Sequence, residues 1–262
     1  MYATWLCAMT ATGVLLLWAV IQTAAIYRGA TVRGEVGWDA GLYAAVGTHF
    51  LETGRAYFPI QSAPYSAEGI VNLYPPTALY LFVPATLLPR ALWWVVPLFI
   101  IAWSLHRLRP AWWAWPFMAF ACVLPISAPA VPVGLVYGNT LLWTVAALFV
   151  AAAWRPGYAG TLVFKPTDIL LGLPFALRSW RGFGVALAMS AILLPLWFDW
   201  VVAMQNLYGS SPLRGLASWP ALTIPFIAWI SRSSAGWQIP WRPRAQLAAA
   251  TSEGRTAPAP SS

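Results

Sequence analysis

Acidic residues, which can accept protons in catalysis, are concentrated in one stretch near the start of the chain. Of the seven acidic residues among 262, four lie between residues 28 and 73: Glu35, Asp39, Glu52 and Glu68. The same stretch holds Arg28, Arg33, Tyr43, His49, Arg55, Tyr57 and Tyr65. Carboxylates and histidines exchange protons, and cations bind anions. Because connections beyond about 15 residues are usually functional or disordered, residues 28–73 are the first candidate for a functional site.

A second pair of ionisable residues lies inside an apolar run. Lys165 is the single lysine of the chain, and an ionisable group within a membrane segment is a functional hypothesis by default. Asp168 follows three residues later and could meet Lys165 on one helical face, although Pro166 weakens that geometry. A structural ion pair is one interpretation of these two residues.

Other site types find no support in the sequence. No His, Cys and Asp cluster has metal-ligand spacing, and neither a phosphate-binding glycine loop nor a nucleophile elbow is present. Cys7 and Cys122 lie in hydrophobic runs and read as small buried hydrophobes. We therefore predict no metal or cofactor.

The composition indicates that membrane helices position these residues. The chain is 60% hydrophobic and 8% charged, against about 25% charged in soluble domains. Residues 5–27 alone provide the roughly 20 apolar residues of a transmembrane helix. Tryptophans such as Trp93 and Trp94 lie near the ends of runs, as in interfacial belts. We predict an all-α polytopic bundle of about eight segments: 4–27, 74–89, 91–106, 111–132, 137–154, 158–177, 183–204 and 219–231.

The arginines predict the orientation of the bundle. The net charge of +8 is scattered between apolar runs, which is typical of cytoplasmic loop charges and not of a nucleic-acid surface. We place inside the arginines at positions 107, 109, 155, 178, 181, 232, 242 and 244. This leaves 28–73, 137–140 and 205–218 outside, makes 158–177 a re-entrant hairpin and suggests that 74–89 fails to span. Plain alternation of spans is the rival topology. Prolines within the runs predict broken helices around a cavity, and residues 232–262 read as a disordered cytoplasmic tail.

Within the outer loop, residues 38–58 are spaced as an interfacial helix. Asp39 and Tyr43 are four residues apart and would share one side of that helix. The alternative is a solvated surface helix with ordinary charges.

Several short motifs resemble one enzyme family. They are DAGLY at 39–43, GRAY at 54–57, LYPP at 73–76, YGNT at 137–140, and FKP at 164–166 followed by RSWR at 178–181. Together they resemble glycosyltransferase family 87, the polyprenol-phosphate-mannose-dependent mannosyltransferases, over roughly residues 38–182. Two features depart from the family: Asn139 stands where glutamine is expected, and the chain is short.

The resemblance implies a GT-C fold of residues 1–231 in a bacterial plasma membrane, with the active site on the extracytoplasmic face. It implies a polyprenyl-phosphate sugar donor, a lipid or glycan acceptor, and Asp39 as the catalytic base. A helix cap is the competing role for Asp39. The short length also fits a truncated or inactive member.

The remaining site residues are expected to bind substrate. Lys165, paired with Asp168, would hold the donor phosphate, and Arg33, His49 and Arg55 are further phosphate candidates that could equally be surface charge. Tyr43 and Tyr74 would shape the site, although the prolines after Tyr74 could simply start a helix. Asn139 would bind a sugar hydroxyl or make an interhelical contact. Asp199 reads as an interface residue or an acceptor ligand.

Two other functions stay open. Broken helices and the Lys165–Asp168 pair would also suit a lipid or solute transporter, which does not explain the acids gathered in one loop. A non-catalytic family member is the second alternative.

Overall fold

The computed structural model describes residues 2–57, 74–124, 129–154, 174–175, 180–206 and 219–232. Within these ranges the chain is mostly helical and has no strand, which confirms the all-α class. The helices are α1 (Tyr2–Arg33), α2 (Trp38–Thr53), α3 (Leu79–Leu87, after a 3-10 turn at Pro76–Ala78), α4 (Leu92–Leu108), α5 (Ala114–Val123), α6 (Ala130–Tyr137), α7 (Leu141–Ala153), α8 (Trp180–Ile192), α9 (Leu194–Asn206) and α10 (Trp219–Ile230).

Helix α1 has the length and surface of a membrane span. Its 32 residues reach about 48 Å at 1.5 Å per residue, and Val14, Leu17 and Val20 are each at least 60% exposed. Such a continuous apolar surface needs lipid or protein to cover it. By length and composition the described helices provide one span, or up to three if each of two bent pairs is one span. The prediction of about eight segments stays a prediction.

Two helix pairs are bent, and only the second lies in a run, 183–204, for which an internal proline predicted a break. Helices α6 and α7 meet at 115°, and α8 and α9 meet at 79°. The first break contains Gly138, whose φ of 71° lies in the left-handed region that glycine adopts without strain. The second is followed by Pro195, which lacks the N–H of a continuous helix. The first break falls at residues 138–140, inside the predicted segment 137–154.

Two hydrophobic clusters hold the helices together. In one, α5, α7 and α10 enclose Leu148, Phe149 and Phe175. In the other, α2 and α3 pack around Phe82 and adjoin Trp93 of α4, which itself packs along α7. The polar loop predicted near the start of the chain thus contributes a packed helix, α2, to the second cluster.

The segment around α3 starts and ends beside the same half of α2. Tyr74, before the segment, contacts Tyr43, and Arg90, after it, donates a hydrogen bond to the Gly37 carbonyl oxygen at 2.7 Å. Both flanks of the segment therefore contact the first half of α2, and the prediction that residues 74–89 fail to span stays a prediction. The hairpin predicted at 158–177 lies outside the described residues except for 174 and 175, and so does the tail from 233 onward.

Candidate functional site

Helix α2 places Asp39 at its start without using it as a cap. Gly37, with φ 69°, is the N-cap residue, and Asp39 stands in the first turn. A carboxylate there is stabilised by the positive end of the helix dipole. The helix-cap role considered for Asp39 is therefore filled by a glycine.

The α6–α7 break docks against the start of α2. The Gly37 N–H donates to the Val136 carbonyl oxygen at 2.9 Å. A Cβ at Gly138 would lie 2.8 Å from the Ala40 Cβ and 2.9 Å from the Trp94 ring, so only glycine permits this approach. The close contact brings the residue after Gly138 to the first turn of α2.

That residue, Asn139, joins the break to Asp39. Its Nδ2 donates to Asp39 Oδ2 at 2.7 Å and lies 3.3 Å from the Tyr43 hydroxyl. Its Oδ1 accepts the Leu141 backbone N–H at 3.0 Å, which fixes the amide orientation. Asn139 thus makes the interhelical contact, one of its two predicted roles, and the partner is the predicted base.

Buried hydroxyl groups extend the network inward from Asn139. The Tyr43 and Tyr74 hydroxyls are 3.1 Å apart, and Tyr74 OH lies 2.6 Å from Thr140 Oγ1. Tyr57 donates to the Tyr74 carbonyl oxygen at 2.9 Å. Each of these four side chains is buried, so the hydroxyls are held by one another and by the packed protein.

Burial raises the pKa of two tyrosines in this network, Tyr43 and Tyr57. Burial raises the pKa of Tyr43 well above its usual value, and the neighbouring Tyr74 and Asp39 add to the effect. Burial also raises the pKa of Tyr57, with a further contribution from the Asp199 carboxylate. Asp199 itself is exposed, which places it at the rim near Tyr57.

Aromatic rings form one wall of the site. Tyr43 stacks on Phe82 at a centroid distance of 4.8 Å and on Trp93 at 5.6 Å. The Trp93 indole is buried and donates to the Gly138 carbonyl oxygen at 2.7 Å, and Trp94 donates to that of Leu135. Both indoles bind the α6–α7 pair, whereas the sequence suggested interfacial belt positions.

Three predicted basic residues lie apart from the Asp39 network. Arg33 forms an ion pair with Glu35 at 2.7 Å and donates to the Tyr137 hydroxyl, so its charge is compensated. His49 lies ten residues along α2 from Asp39, with its Nε2 3.4 Å from Thr53 Oγ1. Arg55 is exposed just beyond the end of α2. Lys165 and Asp168 lie outside the described residues.

Four residues of the site were not among the predicted ones. Thr140 and Gly138 belong to the YGNT motif, and a glycine inside an apolar run was the available signal for a break. Trp93 and Arg90 adjoin α2 through long-range contacts that no local pattern reports. Within the described residues, no group of three His, Cys, Asp or Glu side chains could hold a metal ion.

The arrangement provides a half-buried carboxylate beside neutral hydrogen-bonding groups. Asp39 can accept a proton, while Asn139 and Tyr43 hold neighbouring positions by hydrogen bonds.

Comparison of the chain with protein-family models, with curated proteins and with solved structures found no match.

Proposed function

We propose that the protein is a membrane glycosyltransferase that moves a hexose, with mannose the first candidate, from a polyprenyl-phosphate donor to a lipid or glycan acceptor. One observation carries the proposal: Asp39 of the outer loop and Asn139 of the YGNT motif, distant in sequence, are joined at 2.7 Å. Tyr43, from the same DAGLY motif as Asp39, and Tyr74, from the LYPP motif, meet in the same network. Residues selected by resemblance alone therefore converge in space.

In the proposed transfer reaction Asp39 acts as the base. The acceptor hydroxyl attacks the anomeric carbon as the carboxylate takes its proton. The bond between the anomeric carbon and the phosphate oxygen breaks, and polyprenyl phosphate leaves. Asn139 holds the carboxylate in place, and the neutral Tyr43 hydroxyl completes the wall of the sugar site. Because the donor is lipid-linked, no nucleotide sugar enters this scheme.

The setting of the site supports a membrane-embedded reaction. The proposed GT-C arrangement places α2 on the extracytoplasmic face, with α3 entering and leaving the bundle on that side. The described helices expose many leucines, valines and phenylalanines to the surroundings. A long lipid donor could then reach Asp39 from the bilayer while the acceptor arrives from the aqueous side.

A transfer assay tests the proposal. Membranes containing the protein, from a host without related enzymes, would receive radiolabelled polyprenyl-phosphate-mannose or a labelled nucleotide sugar, together with candidate acceptor lipids. We expect label to move only from the lipid-linked donor. Movement from the nucleotide sugar alone would overturn the donor assignment.

A transporter is the competing function, since two helix pairs are bent. A transporter would carry the donor across vesicle membranes without making a new glycosidic bond. Analysis of the labelled product by mass spectrometry separates the two, because only a transferase lengthens the acceptor by one hexose.

A further inference from the structure

A groove runs along one flank of α2, from Ala40 to Thr48. It has a volume of about 380 Å³ and lies between α2, α3 and α4. Its walls are mostly small or apolar, including Ala40, Ala44, Leu81, Pro84 and Val96. The volume falls in the range of ligand-binding clefts, and such walls suit a hydrocarbon chain better than a sugar.

One end of the groove carries a cation. Among the described residues lining it, Arg90 is the charged one. Its Nη2 donates to the Gly37 carbonyl oxygen at 2.7 Å, two residues before Asp39, which fixes the guanidinium beside the first turn of α2. The other N–H groups of Arg90 have no hydrogen-bond partner among the described residues. An arginine that is held in place by one hydrogen bond and keeps further N–H groups for a ligand is suited to binding a phosphate.

The groove and the polar site share a wall. Trp93 lines the groove and also stacks on Tyr43. By helical spacing Asp39 and Tyr43 lie on one side of α2, whereas Ala44 and Gly41 lie toward the opposite side and Ala40 lies between them. A chain lying in the groove with its head at Arg90 would place that head beside the first turn of α2, the turn that carries Asp39.

We infer that this groove binds the first isoprenoid units of a polyprenyl phosphate and that Arg90 binds its phosphate. The occupant follows from charge complementarity: an apolar channel that ends in one cation fits a lipid with a single anionic head. The assignment rests on the proposed function for its donor class. It names Arg90, and not Arg33, as the phosphate ligand, since the Arg33 charge is already compensated by Glu35.

The groove explains why the side chains of α2 are small along this flank. A Cβ at Gly41 would lie 3.2 Å from Arg90 Nη2, so a larger residue there would displace the guanidinium. Ala44, one turn further on, leaves room for a chain beside Pro84 and Ala85.

Binding of a medium-chain polyprenyl phosphate to the purified full chain in nanodiscs, followed by native mass spectrometry or a radioligand, tests the inference. For Arg90→Gln we expect Kd to rise by about ten- to a hundredfold, the loss expected for hydrogen bonds to a charged group. The neutral polyprenol should bind weakly, and its Kd should not respond to this substitution. Arg107→Gln, at the far end of α4, is the matched charge control and should bind as wild type.

A second variant covers the case in which Arg90→Gln fails to fold. Ala44→Phe keeps Arg90 and fills the groove, and it should weaken binding of both the phosphate and the neutral alcohol. Unchanged Kd for polyprenyl phosphate in folded Arg90→Gln, or in folded Ala44→Phe, would overturn the inference.

The assay separates this inference from the proposed transfer reaction. Asp39→Asn should bind polyprenyl phosphate as wild type does, since the base has no part in holding the lipid. Arg90-dependent binding without any sugar transfer would leave the groove assigned and reject the transferase. Sugar transfer together with polyprenyl-phosphate binding that does not depend on Arg90 would support the transferase and reject the assignment of the groove.

Discussion

The Asn139 side-chain amide donates a hydrogen bond to the Asp39 carboxylate at 2.7 Å, across 100 residues of sequence. The contact depends on the sharp break between α6 and α7, where Gly138 lets the chain approach Ala40 of α2. The same amide accepts the Leu141 N–H. Asn139 therefore couples the shape of a broken helix to the orientation of the predicted base.

Replacing Asn139 with leucine should slow sugar transfer through misplacement of Asp39. We expect kcat to fall by about tenfold to a hundredfold, because small displacements of a catalytic group have effects of this size. The KM for the donor should change little. In an Asp39→Asn background the same replacement should have no further effect on the residual rate. Additive losses in the double variant would show that Asn139 acts independently of Asp39.

Replacing Asn139 with aspartate should change the pH profile. A second carboxylate beside Asp39 disfavours the charged form and raises the pKa of Asp39. Because the base must be deprotonated, the acidic limb of the transfer rate should move to higher pH than in wild type. A profile with an unmoved acidic limb would argue that Asp39 is not the titrating base.

Replacing Gly47 with alanine should destabilise the packing of α2 on α3. A Cβ there would lie 2.4 Å from the Phe82 carbonyl oxygen, and backbone cannot yield as a flexible side chain can. We expect a loss of about 1–3 kcal/mol, seen as a lower thermal midpoint in detergent. Gly184→Ala is the matched control, since its Cβ would meet open space and helical alanine is favoured by up to ~1 kcal/mol. Equal midpoints for the two variants would contradict the close α2–α3 contact.

Replacing Tyr43 with phenylalanine should make stability fall less steeply with pH in alkaline solution than it does in wild type. Burial raises the pKa of Tyr43 above the unfolded value of 10.0, so above that pH the unfolded state binds fewer protons than the folded one. Stability of the wild type should then fall as pH rises through that value. Thermal midpoints from about pH 9 to about pH 11 would test the difference. Parallel slopes for the two proteins would mean that Tyr43 is not buried as described.

The sequence predicted the helical class and four residues of the central network. Asp39, Tyr43, Tyr74 and Asn139 were identified from motifs, and the structure brings all four together. Asp39 and Tyr43 also share one side of α2, as their spacing of four suggested. The spacing of residues in the sequence is sufficient to predict which side of a helix they share, because helical periodicity depends only on that spacing.

Long-range contacts account for what the sequence did not predict. Arg90 reads as an isolated charge between two apolar runs, and only the return of its segment to Gly37 places it beside the site. Trp93 reads as a belt residue at a helix end, but the break at Gly138 gives its indole a buried acceptor. Helix bounds inside continuous apolar runs, such as the bend at residues 138–140, are likewise decided by tertiary packing.

The most direct test of the central claim is the initial rate of mannose transfer from polyprenyl-phosphate-mannose by purified wild type, Asp39→Asn and Glu52→Gln at equal amounts of folded protein. Glu52 is an exposed acid near the end of the same helix and serves as the matched control. We predict a loss of about 10²- to 10⁴-fold for Asp39→Asn, typical of removing a general base, and no change for Glu52→Gln. Equal rates for Asp39→Asn and wild type would contradict the role of Asp39 as the base.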